Sequence, residues 1–449
     1  MKAGRMEGWK TGRLEGWKTG RLEGWKTGRL EGWKTGRLEG WKRGSVGCFW
    51  KRMTPAVAVL AVTVVALAGV LGCGKRQPEA AGGGKAEAAA NLAESLKVDL
   101  SGLKSQDGQP LLLALETKTP PPRPQDPDTL PEPDPGHWYD MEYAGWNTAK
   151  ENIPPSPKDG AIGKRVIAII NGDHPYLTAY SAGMKKVAEA YRMKLRILSP
   201  NWKVDVQNQM LDEAVNEKPD LIILIALDAK VAILQVRKVN QAGVPIILSN
   251  MHPDNEAMRY AICWTGPDDW GQFRMLAKVW ADKLNRKGGV AYVRHAPGGS
   301  PFFARTFGPI SELTAYAPAI QTLDMQAPGF EAAKTQQVVS DWIMRFGAKL
   351  VGICAADDSA QAIGIVEACK KAGRSDIVVV AAGNSKVGMD AVKAGEIHAI
   401  TYQSAEADGA VALKAGADWF NGLTVEPVRY LPKHVITQAD VDKFLPAQW

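Results

Sequence analysis

Polar side chains that can bind hydroxyl groups follow several apolar runs of this 449-residue chain. Asp173 and Tyr176 stand in the loop GDHPY, Asp357 follows LVGICAA, and Asn384 follows IVVVAAG. A carboxylate accepts two hydroxyl hydrogen bonds at once, an amide both donates and accepts, and an aromatic face covers the apolar side of a sugar ring. Asp and Asn also cap helices and turns without any ligand, so Asp173 and Asn384 have a purely structural alternative.

Asp357 and Asp358 are adjacent carboxylates of the kind that some catalytic sites use. Neighbouring acids at a strand-to-helix turn more often cap the following helix. The sequence contains no nucleophile elbow or phosphate loop, and His174 and His252 lack the further spacing of a metal site. We therefore predict a binding protein with no catalytic residue, no metal and no cofactor, rather than an enzyme.

The elements that must position these loops are short apolar runs alternating with amphipathic segments. The runs predict strands at residues 165–171, 194–198, 220–226, 244–249, 289–294, 319–323, 350–355 and 377–382. Helices are predicted between Tyr176 and Arg192 and at 206–217, 230–242, 304–316, 330–346 and 360–372. Buried strands alternating with helices indicate parallel sheets covered on both faces. The length favours an α/β fold with two similar lobes, each such a sheet, joined by a multi-crossing hinge around one cleft.

A family resemblance accompanies this pattern. The runs RVIAIINGDHPY, VPIILSN, WTGPDDWGQ, ADDSAQAIG, AAGNSKVGMDAVKAGEI and TYQSAEADG occur in that order between Lys164 and Trp449. In order and spacing they resemble type I periplasmic sugar-binding proteins of the ribose-binding kind. The resemblance implies lobes of residues 164–266 with 404–432 and of residues 267–403 with 433–449.

The resemblance also implies which side chains contact the ligand: Asp173, Tyr176, Asn250, Phe303, Arg305, Asp357, Asn384 and Gln403. Three positions depart from the family pattern. Asn250 and Met251 replace an aspartate followed by an arginine. Where the family commonly has a sugar-contacting arginine, this chain has Phe303, and its arginine, Arg305, stands two places on. Asn384 replaces an aspartate. These changes remove charge and add apolar surface, which predicts a ligand less rich in hydroxyl groups than ribose, or one bound in another pose. Other aromatic residues, among them Trp202, Trp264 and Trp270, have core or hinge packing as their ordinary alternative.

The function that the resemblance implies is capture of a small sugar or polyol and its delivery to an ABC permease. A sensory subunit for a membrane kinase or chemoreceptor, or a binder of a non-sugar ligand, are the alternatives. A repressor of related fold would need a helix-turn-helix before the domain, and the sequence there resembles a lipoprotein signal instead. We expect a monomer that does not bind nucleic acid.

The residues before the domain predict where the protein works. Residues 53–73 hold an apolar run that follows Lys51 and Arg52 and ends in VLGC, which resembles a lipoprotein signal and predicts lipidation of Cys73. An uncleaved membrane anchor is the alternative. Both place the binding domain outside the cytoplasm.

Residues 1–52 repeat the octad GRLEGWKT, which indicates an over-extended gene start or a disordered arm. Fourteen Lys and Arg against five Asp and Glu give these residues a charge of +9, so the net +7 of the chain leaves −2 for the rest. The basic balance therefore says nothing about nucleic acid.

Residues 74–163 are rich in Ala, Gly and Pro, which predicts a linker that does not fold by itself. The aromatic stretch HWYDMEYAGW at 137–146 is the exception, and we expect it to dock on the first lobe. Cys263, Cys354 and Cys369 show no spacing motif, which predicts no disulfide.

Overall fold

Two six-stranded sheets form the domain in a computed structural model that describes residues 83–449. The octad repeat, the signal segment and Cys73 lie outside the described residues. The first sheet has the strand order β11-β5-β4-β3-β1-β2 and the second β12-β10-β9-β8-β6-β7. All pairings are parallel except that of β12 with β10. The predicted fold of two parallel-sheet lobes is confirmed.

The strands of the first sheet are β1 (Arg165–Ile169), β2 (Lys194–Leu198), β3 (Leu221–Leu224), β4 (Ile246–Ser249), β5 (Trp264–Gly266) and β11 (Val428–Tyr430). Those of the second are β6 (Lys287–Val293), β7 (Ala319–Gln326), β8 (Leu350–Ala355), β9 (Val378–Ala381), β10 (Ala399–Thr401) and β12 (Val435–Thr437). The central strands are continuously apolar because helices cover both faces of the sheet. The edge strand β2 keeps Lys194 and Arg196 on its exposed positions, which discourages pairing with another chain.

The helices are α1 (Gly83–Ser95), α2 (Tyr139–Glu142), α3 (Pro175–Ala190), α4 (Val204–Asn216), α5 (Ala229–Gln241), α6 (Asp269–Lys283), α7 (Ser300–Tyr316), α8 (Ala332–Phe346), α9 (Ala360–Lys371), α10 (Lys386–Lys393) and α11 (Ala405–Phe420). Side-chain caps fix several of their starts. Asp268 accepts a hydrogen bond from the N–H of Gly271 at the start of α6, and Ser404 accepts one from Ala407 at the start of α11. None of the helices in residues 83–449 is long and apolar enough to cross a membrane.

The chain passes between the two sheets three times. The crossings follow β5, β10 and β11, and they lead into α6, α11 and β12 respectively. The first two crossings lie in the interior, since Asp268, Gln403 and Ser404 are buried, and the third begins at the buried Leu431. The three crossings therefore form one hinge beneath the carboxyl ends of both sheets.

Residues 83–163, here called the leading segment, are not a free linker over this range. Leu100 and Leu111 are buried in the first-lobe core, and Glu116 exchanges two backbone hydrogen bonds with Tyr430 of β11, at 2.8 and 3.1 Å. The segment has too few apolar residues to make its own core, but the lobes supply the surface that covers them. The composition therefore predicts that the leading segment does not fold alone. It does not predict that the segment is ordered by packing on the lobes.

The aromatic stretch 137–146 contacts both lobes, which corrects the expectation of docking on the first lobe. Trp138 stacks on Phe307 of α7 with ring centroids 4.4 Å apart. Trp146 lies against Tyr430, and the Gly145 N–H donates to Asn255 Oδ1 at 2.9 Å. The stretch thus spans the two sheets near the hinge.

Helices α3 and α11 approach backbone to backbone at two glycines. A Cβ on Gly183 would overlap the Glu406 carbonyl oxygen, and a Cβ on Gly409 would overlap the Tyr180 carbonyl oxygen. Only glycine permits this close spacing of α3 and α11.

We expect Gly409→Ala to lower the free energy of unfolding by about 1–3 kcal/mol or more, because the added methyl must push α11 away from α3. Urea unfolding measures the change. Gly102→Ala is the matched control, since a Cβ there meets open space. Equal stabilities of the two variants would contradict the close packing of α3 and α11.

Candidate functional site

A small cavity of about 80 Å³ lies where the strand ends of the two lobes face each other. Residues of both lobes line it: Asn171, His174, Tyr176, Leu177, Trp202, Asn250, Met251, His295, Pro301, Arg305, Phe330, Asp357, Ala382, Gly383, Gln403 and Trp449. Loops after β1, β4, β6, β8 and β9 supply most of them, as expected for the carboxyl edge of parallel sheets.

The structure brings together five of the eight side chains that are predicted to contact the ligand. Tyr176, Asn250, Arg305, Asp357 and Gln403 line the cavity. Asn384 does not line the cavity. It is fully buried, and its Oδ1 accepts a hydrogen bond from the Gln403 N–H at 3.0 Å.

Asp173 and Phe303 lie elsewhere. Asp173 is exposed and faces a separate surface groove beside Gln106 and Glu406. Phe303 packs against Trp138 with ring centroids 5.4 Å apart. Because α7 already begins at Ser300, Phe303 and Arg305 are two helical residues apart and point to different sides. Phe330 provides the aromatic ring on this side of the cavity.

A buried carboxylate that the sequence reading missed holds two cavity residues. Asp408 Oδ2 accepts hydrogen bonds from Tyr176 Oη at 2.9 Å and from Asn250 Nδ2 at 2.6 Å. Burial raises the pKa of Asp408 to about 7, although these two hydrogen bonds oppose the rise. The sequence feature that could have revealed Asp408 is its position inside the alanine-rich helix AEADGAVALKAG, most of whose residues are apolar.

Arg305 is held at the hinge by a second network. Its Nε donates to Asp269 Oδ1 at 3.1 Å and its Nη1 to the Ala356 carbonyl at 2.8 Å. Gln403 Nε2 donates to the same Asp269 oxygen at 3.1 Å. Burial raises the pKa of Asp269 despite the opposing charge of Arg305. The guanidinium, with five N–H donors in a fixed plane, still offers donors to a ligand.

Asp357 and Asp358 are engaged locally. Asp357 accepts hydrogen bonds from Ser359 Oγ at 2.9 Å and from the Gln361 N–H at 3.2 Å, so it caps the start of α9. It also lines the cavity. Asp358 accepts from the Ser385 N–H at 2.8 Å, and burial followed by the charge of Asp357 raises its pKa well above the usual range. Two carboxylates close together in one buried place disfavour the ionised form, which is the second cause of this rise.

Aromatic rings and neutral imidazoles complete the walls. Trp202, Phe330 and Trp449 line the cavity, and burial lowers the pKa of His174 and brings that of His295 to about 3. Neutral histidines both donate and accept hydrogen bonds. Among residues 83–449 no group of three or more His, Cys, Asp or Glu is arranged to hold a metal ion.

Two polar atoms of cavity residues have no hydrogen-bond partner within the described chain. They are Asn171 Oδ1, an acceptor, and Trp449 Nε1, a donor. Buried polar atoms are normally paired, so each unpaired atom calls for a partner from outside the protein. The cavity therefore suits a small neutral molecule with both hydroxyl donors and acceptors and an apolar face.

Comparison with known proteins gives one matching family model, which is described as a periplasmic binding protein domain and covers residues 165–423. The xylitol-binding protein of Mycolicibacterium smegmatis is 26% identical over 285 residues, 62% of this chain and 78% of that protein. The ribose import binding protein of Bacillus subtilis is 23% identical over 300 residues, 66% of this chain and 93% of that protein.

Solved structures share the fold. A solute-binding protein of an ABC transporter from Bacillus halodurans, with bound myo-inositol, superposes with a TM-score of 0.59 at 21% identity, over 64% of this chain and 99% of that one. A periplasmic counterpart from Actinobacillus succinogenes, with bound D-allose, has a TM-score of 0.57 at 22% identity, over 62% and 99%.

The raised pKa of Asp408 predicts a pH dependence of stability. A carboxyl whose folded pKa exceeds its unfolded value of about 4 stabilises the fold most when protonated, so its contribution declines as pH rises from about 4 to 7. We expect Asp408→Asn to remove this decline relative to the wild type. Urea unfolding at several pH values measures the slope, and Asp390→Asn, at an exposed position of α10, is the control. An unchanged slope in Asp408→Asn would contradict the assignment.

Proposed function

The chain belongs to the family of periplasmic binding protein domains, and on that premise we propose that it captures a small sugar or polyol between its lobes and delivers it to an ABC importer. The observation that carries the proposal is the interlobe cavity, whose walls combine amides, a guanidinium, a carboxylate and aromatic rings. The relatives that bind xylitol and ribose by name support the ligand class.

The side chains have separate roles in this proposal. Asn250, Gln403 and Arg305 hydrogen-bond hydroxyl groups, and Asp357 accepts from them. Each neutral hydrogen bond contributes only about 0.5–1.5 kcal/mol, so affinity depends on several acting together. Trp202, Phe330 and Tyr176 cover the C–H faces of the ligand. Asn384 acts behind Gln403, which it holds through the Gln403 N–H.

Closure of the lobes excludes water from this network. The three hinge crossings let the sheets move relative to each other, and the closed form gives the permease a surface that differs from the open one. Capture therefore couples to recognition by the importer through the lobe arrangement and not through a change within either lobe.

We further propose that the protein works outside the cytoplasm as a monomer, anchored by a lipid on Cys73. The family of periplasmic binding proteins supports the compartment, and the residues VLGC at the end of the apolar run support the anchor. One acyl chain alone holds a protein to a membrane only weakly, and a second chain makes the attachment stable. Acylation of both the thiol and the amino group of Cys73 would supply the two chains.

The ligand class is tested by thermal shift and calorimetry on a version that begins at Gly74. The panel contains xylitol, D-ribose, D-apiose, myo-inositol, D-allose, nucleosides and amino acids. A ligand at a hundredfold excess over its Kd adds about 2.7 kcal/mol of stability, which raises the melting temperature visibly. Stabilisation by an amino acid or a nucleoside alone would overturn the sugar proposal.

Trp202→Ala is expected to weaken binding of the panel hit about tenfold without loss of the fold, because this ring lines the cavity while 41% exposed. Met344→Ala on α8, 79% exposed and outside the cavity lining, is the control. Titration calorimetry gives both affinities. Equal affinities in the two variants would remove Trp202 from the site.

Cys73→Ser is expected to move the protein from the membrane fraction to the released fraction of the cells that express it, because acylation needs the thiol. Fractionation followed by immunoblotting measures this. Retention of the variant in the membrane would favour an uncleaved apolar anchor instead.

A further inference from the structure

We propose that Trp449 contacts the ligand through its indole N–H and that Asp107 of the leading segment positions it by way of Gln448. This inference rests on the proposed function, whose cavity it completes. Neither Trp449 nor Asp107 lies in the part of the chain that matches the family model, which spans residues 165–423.

Trp449 stands between the lobes at the cavity wall. Its ring meets that of Tyr176 edge to face at 5.4 Å and that of His174 at 5.7 Å, both on the first lobe. On the second lobe its carbonyl accepts from the Lys386 N–H at 2.6 Å, and its Cη2 lies 3.0 Å from where a Cβ of Gly383 would stand. The indole is thus held from both sides.

The indole nitrogen of Trp449 is a buried donor without a partner in the described chain. An indole N–H donates and never accepts, so a buried one needs an oxygen or another acceptor within reach. The residue lines the cavity. A ligand hydroxyl oxygen in the cavity is the acceptor that completes this geometry.

Gln448 fixes the tryptophan beside it. Its Nε2 donates to Asp107 Oδ2 at 2.8 Å and to Ser404 Oγ at 2.9 Å, and its Oε1 accepts from the Glu406 N–H at 3.0 Å. Asp107, Ser404 and Gln448 are all buried. The amide therefore ties residues 445–449 to the hinge crossing that enters α11.

Asp107 is the charged member of this cluster and comes from the leading segment. Its Oδ2 also accepts from Tyr402 Oη at 3.2 Å, and its Oδ1 accepts from Ser105 Oγ and from the Gln109 N–H. Hydrogen bonds to a charged acceptor are stronger than neutral ones. The leading segment thereby acts on the cavity through Gln448, without touching the ligand.

Titration calorimetry with xylitol and with D-ribose tests the role of Trp449. Trp449→Phe keeps an aromatic ring and loses the donor, so we expect affinity to fall about fivefold to tenfold, and Trp449→Ala to fall further. Trp419→Phe, at the end of α11 and outside the cavity lining, is the matched control and should bind as the wild type does. Wild-type affinity in both Trp449 variants would overturn the inference.

A double-mutant cycle tests the role of Asp107. Asp107→Ala should weaken binding severalfold in the wild type and have no further effect in Trp449→Ala, because it acts through that ring. Asp140→Ala, which removes the exposed partner of Arg123 in the same segment, is the control. Additive losses from Asp107→Ala and Trp449→Ala would assign Asp107 a structural role only and overturn its positioning role.

The failures are distinguishable. If the wild type binds neither xylitol, D-ribose nor another sugar or polyol of the panel, the proposed function falls and this inference falls with it. If the wild type binds one of them and the Trp449 variants bind it equally well, only the inference falls.

Discussion

A buried ion pair at the hinge is the constraint on which the site depends. Asp269 begins α6 immediately after the first crossing, and Arg305 lies on α7 of the same lobe. Taking either charge out of water is costly unless the other is beside it, so the pair fixes the helices against each other. Gln403 joins the same carboxylate from the second crossing. The carboxylate of Asp269 therefore links the first and second of the three crossings and fixes Arg305 and Gln403 at the cavity wall.

The fold was largely predictable because the central strands are apolar over their whole length. The run at 350–355 matches the central strand β8 end to end, and the run at 194–198 matches the edge strand β2, which carries Lys194 and Arg196. Strands β5, β10, β11 and β12 were not predicted, since three residues carry no periodic signal and depend on their neighbours for definition. The order of the longer strands thus follows from the sequence, whereas α6, α10, α11 and the three-residue strands were not predicted.

The site was predictable where a side chain follows directly from a strand end. Asn250, Asp357 and Gln403 reach the cavity for that reason, whereas Tyr176 reaches it from the first turn of α3. Asp408 was missed because it approaches from within a helix, and Phe303 was misplaced because the helix begins earlier than its apolar pattern indicates. Trp449 is remote in sequence from every loop of the motif pattern, and only tertiary packing brings it to the wall.

The leading segment holds Leu111 in the core of the first lobe and Trp138 in that of the second. Between them runs a stretch with eight prolines from Pro120 to Pro135, and proline-rich segments are stiff. A motion that widens the aperture must be absorbed by this stretch or must pull one anchor out of its core. The leading segment is therefore a covalent path between the two cores that is separate from the three hinge crossings and from the side chains that line the cavity.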